Sequence, residues 1–163
     1  MEIKNLNAKS RIQIYQMLQY LDELNYSEIE KIMSWIDQYL FENQERNLYG
    51  IFAEHEDGEN ILAFAAYGQS DDISGQFSLY FLLFNNSLCT EEAELEVLHF
   101  IEKDVIRKKG RKLIVELKSA NDYQNKMQMY QRHHFQTQKR VKDFYAPGVD
   151  KIILSKSVPY MVN

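Results

Sequence analysis

The chain has a single cysteine among its 163 residues, Cys89, so no disulfide can close within it. It has no run of about 20 apolar residues able to span a bilayer, and no stretch that reads as a secretory leader. It also lacks a basic excess. Nineteen Lys and Arg face 24 Asp and Glu, a formal net charge of -5. The basic runs from Arg107 to Lys109 and from Lys139 to Lys142 are short and set among acidic neighbours. A nucleic-acid footprint shows the opposite balance, gathered on one face. No internal repeat is present, and no linker is long enough to separate a pair of domains. His133 and His134 point to different sides of a helix, with no Cys or acidic cluster at ligand spacing around them, so no metal is expected. From these absences a cytoplasmic protein of one domain, residues 1–163, is expected, with neither nucleic acid nor membrane as a partner.

What is present is a large apolar fraction, 45% with 13% aromatic, ample for a sizeable core. Met1 to Leu6 alternates weakly, as a short edge strand does. From Ala8 to Leu24, Ile14, Met17, Leu18 and Leu21 recur at helical spacing. A second helix is expected from Ser27, with Ser27 as cap, Glu30 three residues later, and Ile29, Ile32, Met33, Ile36 and Leu40 as its buried stripe. Trp35 and Tyr39 flank that stripe as packing residues. After the polar stretch FENQERN the period changes. Tyr49–Glu56 and Ile61–Gln69 read as strands around the Asp57-Gly58 turn.

The next strand, Phe77 to Phe84, contains the continuously apolar run LYFLLF, which predicts a central strand covered on both faces. A helix from Thr90 to Lys109 follows, with Leu95, Leu98, Ile101 and Val105 on one face and Gly110 as its stop. Lys112–Lys118 is a strand, Asp122–His133 a helix, and Phe135–Tyr145 with Lys151–Lys156 an antiparallel pair around APGVD. The order predicts a mixed α/β fold: a central, mostly antiparallel sheet with one right-handed parallel β-α-β crossover and helices on both faces. If the strands flanking the crossover splay apart, a groove opens there with backbone groups free for a ligand.

Three stretches carry a resemblance. LYFLLFNN resembles a central strand often written L-Y-W-I-A-V-D-P, and VELKS resembles a following V-E-T-S-S strand. Tyr130, four residues ahead of His134, is similar to the tyrosine of a Y-x-x-x-G-F element, and DFYAPGVDKIILSK resembles a D-F-Y-A-P-G-D-D-K ending. All belong to the GNAT superfamily of N-acyltransferases, which pass an acyl group from a coenzyme A thioester to an amine, and the match covers nearly the whole chain.

The resemblance implies an acetyl-CoA or other acyl-CoA cofactor whose pantetheine arm pairs with the backbone of Leu82, Leu83 and Phe84 like an added strand. It implies Tyr130 as the acid that protonates the leaving thiolate and Glu116 as the base for the amine, with Tyr80 and Glu54 as weaker bases. It implies a small-molecule or peptide amine as acceptor, and it is compatible with a homodimer. The pyrophosphate would lie on the loop CTEEAE, at Thr90 and Ala93.

That loop departs from the family pattern Q/R-x-x-G-x-G/A. Glu92 and Glu94 replace both glycines, and Glu91 adds a third carboxylate. Two like charges about 5 Å apart at an effective dielectric near 20 repel by roughly 3 kcal/mol, against about 8 kcal/mol for micromolar affinity. Read without the family, the same residues make a good helix start with Thr90 as its cap, because acidic side chains in a first turn suit the helix dipole. Two further departures are His134 in place of the family glycine and Lys126 where alanine is common. Two functions follow. One is N-acyl transfer, and the other is a catalytically inactive GNAT-fold binding or assembly module that has lost CoA. Near a helix start the Cys89 thiol has a route to reactivity, which the neighbouring glutamates oppose.

Overall fold

The computed structural model describes residues 1–42, 47–120 and 123–159. The elements run β1 (Glu2–Asn5), α1 (Ala8–Leu18), α2 (Tyr26–Asp37), β2 (Leu48–Glu54), β3 (Ile61–Gln69), β4 (Gln76–Phe84), α3 (Glu91–Arg107), β5 (Lys112–Lys118), α4 (Tyr123–Arg132), β6 (Gln136–Ala146) and β7 (Val149–Ser157). The strands form one sheet in the order β1-β2-β3-β4-β5-β7-β6. β4 and β5 are parallel with α3 as their crossover, and the mixed, mostly antiparallel α/β sheet expected from the sequence is present. Some of the polar stretch after α2, and Asp122 at the expected start of the last helix, lie outside the described residues.

By contact density the chain forms two compact units. The first comprises Met1–Gly68 and Phe81–Phe100. Its core sets Ile14, Met17 and Leu18 of α1 and Ile32, Met33 and Ile36 of α2 against Phe52, Phe64 and Leu83. Trp35 packs there, stacked on Tyr39 at 5.4 Å and edge-on to Phe64 and Phe81. The guanidinium of Arg11 holds Asp37 at 2.5 Å, tying α1 to α2.

α1 is shorter than its periodicity predicts. After Leu18 the amides of Tyr20, Leu21 and Leu24 each reach back three residues instead of four, so Leu21 stays buried while the α ladder ends. The cap of α2 is Asn25, whose side chain accepts from Glu28 N while Glu28 caps Asn25 N in return. Ser27 and Glu30 have the same spacing two residues later and fall inside the helix. The Asp57-Gly58 turn is as expected. Gly58 has φ +72, and the Asp57 carboxylate accepts from the amides of Glu59 and Asn60.

Two burial expectations are corrected. LYFLLF is not covered on both faces, since Tyr80 is 46% exposed; the strand buried along nearly all its length is β3. Leu95 is 41% exposed, and Val97 joins Leu98 in the buried row of α3 instead. A turn of helix cannot report where its covering layer ends.

The second unit comprises Gln69–Tyr80 and Ile101–Asn163. Phe77 and Leu79 of β4, Ile101 and Val105 of α3, Leu113, Val115 and Leu117 of β5, and Ile152 and Leu154 of β7 are buried. α3 ends at the expected place by a different device. The left-handed residue is Lys109, φ +64, while Gly110 N donates to Val105 O at 2.7 Å and Lys109 N to Ile106 O at 2.9 Å. Gly110 is required for proximity, since a Cβ there would lie 2.3 Å from Val105 Cγ1 and 2.8 Å from the Phe77 ring. At the β6–β7 hairpin the buried Asp150 accepts from Arg140 Nε at 2.7 Å and from Asp143 N at 3.0 Å.

Candidate active site

β4 is nine residues long, but its parallel register with β5 covers only Gln76 to Leu79, opposite Lys112 to Val115. Leu82, Leu83 and Phe84 lie beyond that register, with Leu82 and Leu83 buried and Phe84 half-buried. In the same unit, β4 runs into a loop folded on Asn85. Asn85 N donates to Leu62 O, the amides of Leu88 and Cys89 donate to Asn85 O, and Ser87 N donates to Asn85 Oδ1. Thr90 caps α3, its Oγ1 accepting from Ala93 N at 3.2 Å and its carbonyl from Glu94 N at 2.9 Å. The cap is as the sequence implied. Its consequence is that five amides along Ser87–Glu94 already have protein acceptors, where a phosphate cradle needs them free.

Beside this helix start lies a hollow of about 300 Å³, lined by Leu62, Leu88, Thr90 and Ala93, by Glu56, Glu92 and Glu96, and by Met1 and His55. Glu92 faces it; Glu94 instead lies against Cys89. Burial, with Glu94 adding, pushes the Cys89 thiol up to about 11, so the thiol is held protonated and the helix start does not activate it.

The two catalytic candidates fall in the second unit. Tyr130 is buried on α4, 4% exposed, and meets Phe135 edge to face at 5.1 Å. The Phe135 ring lies 6.0 Å beneath Lys156 of β7, which pairs with Glu102 of α3. Glu116 is on β5 between the buried Val115 and Leu117 and faces the opposite side, its carboxylate 3.3 Å from Lys151 Nζ. The structure therefore gathers Leu82, Leu83, Phe84, Thr90 and Ala93 in one unit and Tyr130 and Glu116 in the other. Of the weaker bases, Glu54 holds Lys4 at 3.4 Å, and Tyr80 is raised above the ordinary phenol range by burial and by Asp71. His134 has φ +70, so the position that is glycine in the family pattern keeps a left-handed backbone under a histidine. Among the described residues no group of three or more His, Cys, Asp or Glu is placed to hold a metal ion, and no helix is long and apolar enough to cross a membrane.

Sequence reasoning singles out DFYAPG only within a resemblance. The structure adds that its Phe144 and Tyr145 are exposed and paired edge to face at 4.9 Å, with Lys151 4.5 Å over the first ring and Lys118 4.8 Å over the second. An aromatic pair in a strand bounded by turn residues was the available signal.

The architecture has close counterparts among solved structures. A protein assigned to the GNAT acetyltransferases from Desulfovibrio desulfuricans superposes with a TM-score of 0.87 at 19% identity, covering 97% of this chain and 99% of that one. The fold is that of the GNAT acetyltransferases. The ribosomal-protein-S18-alanine N-acetyltransferase from Escherichia coli shares this GNAT fold with a TM-score of 0.73 at 15% identity, over 99% of this chain and 96% of its own. An aminoglycoside 6'-N-acetyltransferase complexed with coenzyme A gives 0.74 at 12% identity over the full length of both. No family model and no curated protein matches the sequence. At these identities what is shared is the GNAT fold, and chemistry has to be argued from the residues.

Proposed function

We propose that the protein is an N-acyltransferase using an acyl-CoA, most simply acetyl-CoA. The observation that carries this reading is the early end of the β4–β5 register. β4 continues through Leu82, Leu83 and Phe84 with backbone groups outside that pairing, and an extended amide-bearing arm such as pantetheine is suited to take them as an added strand. The cofactor would supply an activated acyl group as a thioester. Tyr130 would place its hydroxyl proton for the departing sulfur, and Glu116 would accept the proton of the attacking amine. Burial of Tyr130 beside Phe135 supports an acid kept from bulk water, and the Lys151 ammonium keeps the Glu116 side chain in place.

The arm fits better than the diphosphate. Five amides along Ser87–Glu94 are already bonded, and Glu92 is part of the lining of the hollow beside the cap. This favours a second reading, a GNAT-fold binding module without the cofactor. A melting curve with millimolar acetyl-CoA separates the two, because a ligand at 100 times its dissociation constant stabilises a protein by about 2.7 kcal/mol. A rise of several degrees is expected for the transferase. No rise with any acyl-CoA would end that reading in favour of the module.

A further inference from the structure

The chain's charge is divided between its units. The unit holding Met1–Gly68 and Phe81–Phe100 has five Lys and Arg against sixteen Asp and Glu, net -11; the other has fourteen against eight, net +6; together they return the chain's -5. The overall acidity therefore hides a basic body. Within the basic unit one sheet face concentrates cations. Leu113, Val115 and Leu117 of β5 turn to the buried side with Ile152 and Leu154 of β7, so Glu116 and Lys118 turn to the other side, where Lys151 meets Glu116. Lys139 of β6 stands opposite Ile153, itself opposite Glu116, and so shares this face. Around Glu116 the ammoniums of Lys118, Lys151 and Lys139 thus accompany one carboxylate, with Lys112 further along the same face of β5.

Two of the three are held in place. Lys118 and Lys151 lie over the rings of Tyr145 and Phe144, which are themselves locked edge to face. An aromatic ring orders an ammonium without cancelling its charge, so the entropy of fixing those side chains is already spent before any ligand arrives. The spacing matters as well. Lys139 is two strands away from β5, about 10 Å at the usual strand separation. A single carboxylate spans one such ammonium, whereas an extended segment with acidic side chains reaches all three.

We propose that this face of β5, β7 and β6 docks an acidic peptide segment. As the class of acceptor the proposal rests on the transferase reading; as a binding surface it stands without it. A nucleic acid is the competing polyanion, and the face suits it poorly. Base stacking needs open ring faces, and here each ring carries a lysine, while Glu116 sits among the cations.

The test is fluorescence anisotropy of labelled eight-residue peptides, acidic, neutral and basic, with a single-stranded RNA of equal charge, against the protein without cofactor. The acidic peptide should bind at least tenfold tighter than the neutral one at low salt, and weaken as salt is raised. Lys118→Gln with Lys139→Gln should lose at least fivefold of that affinity with melting unchanged, while Lys103→Gln, an exposed charge on α3 in the same unit, should lose none. Equal binding of acidic and neutral peptides, an equal loss in the Lys103→Gln control, or tighter RNA binding that the double variant abolishes would overturn the proposal. With acyl-CoA added the two ideas become distinguishable. Acidic peptides that bind but are never acylated end the transferase reading alone, and amines acylated without preference for acidic ones end the docking proposal alone.

Discussion

Replacing Glu92 and Glu96 together by glutamine tests whether the acidic hollow opposes a cofactor diphosphate. Both residues line the hollow next to the Thr90 cap, so the change removes two negative charges from the place where the family's phosphates would lie, and leaves the loop's hydrogen bonds intact. At about 7 Å and a dielectric near 80, each carboxylate repels a diphosphate of two charges by roughly 1.2 kcal/mol. Because both glutamates are exposed, screening applies in full, and a Debye length of about 8 Å at physiological salt reduces the pair's roughly 2.4 kcal/mol to about 1 kcal/mol.

The expected outcome is a gain of about fivefold in CoA affinity by calorimetric titration, shrinking to about twofold near 0.5 M salt. Pantetheine, which has no diphosphate, is the internal control and should bind both proteins alike. An equal gain for pantetheine would mean that the substitutions act by reshaping the hollow. No gain for CoA at any salt would refute the electrostatic reasoning and send the diphosphate elsewhere.

Two shorter predictions follow from other residues. Tyr130→Phe keeps the edge-to-face packing on Phe135 and removes only the hydroxyl, so melting should fall by a few degrees at most while transfer to amines drops by roughly 10² to 10⁴; an undiminished rate clears the residue of the acid's role. Cys89, with its thiol pushed up to about 11 against an ordinary value of 9.0, should be alkylated by iodoacetamide about a hundredfold more slowly than a free thiol near pH 8. Its rate should keep climbing until the pH passes about 11, and a plateau near pH 9 would contradict the burial that sets it.

β3 and β5 are legible to the residue because each is a β-rich apolar run closed by polar or turn residues, and local pattern is enough to define such strands. The cap of α2 is not legible, for a physical reason. Asn25 with Glu28 and Ser27 with Glu30 are equally spaced pairs, and only the packing of Ile32, Met33 and Ile36 on the sheet decides which turn comes first. Tyr80 and Leu95 depart from expectation alike, because periodicity marks an apolar face but not how far the covering layer extends over it. In the site, Thr90 as cap and the carboxylates around it are readable, while the end of the β4–β5 register is not: pairing depends on a partner strand far along the chain. The lysines over Phe144 and Tyr145 come from β5 and β7, so no local window contains the cluster.

The two compact units are interleaved along the chain, and both β4 and α3 are divided between them, at Tyr80 and Phe100. Neither unit is a segment that can be cut out. During synthesis the first cannot be completed until Phe100 has left the ribosome, long after its own helices are made, and by then the opening strand of the second has already been spent inside β4. A truncation after any element up to β4 therefore strips residues from both bodies, and one after α3, β5, α4 or β6 leaves the second incomplete. The whole chain, not either half, is the smallest piece expected to fold, and its unfolding should be read as one event until two transitions are seen.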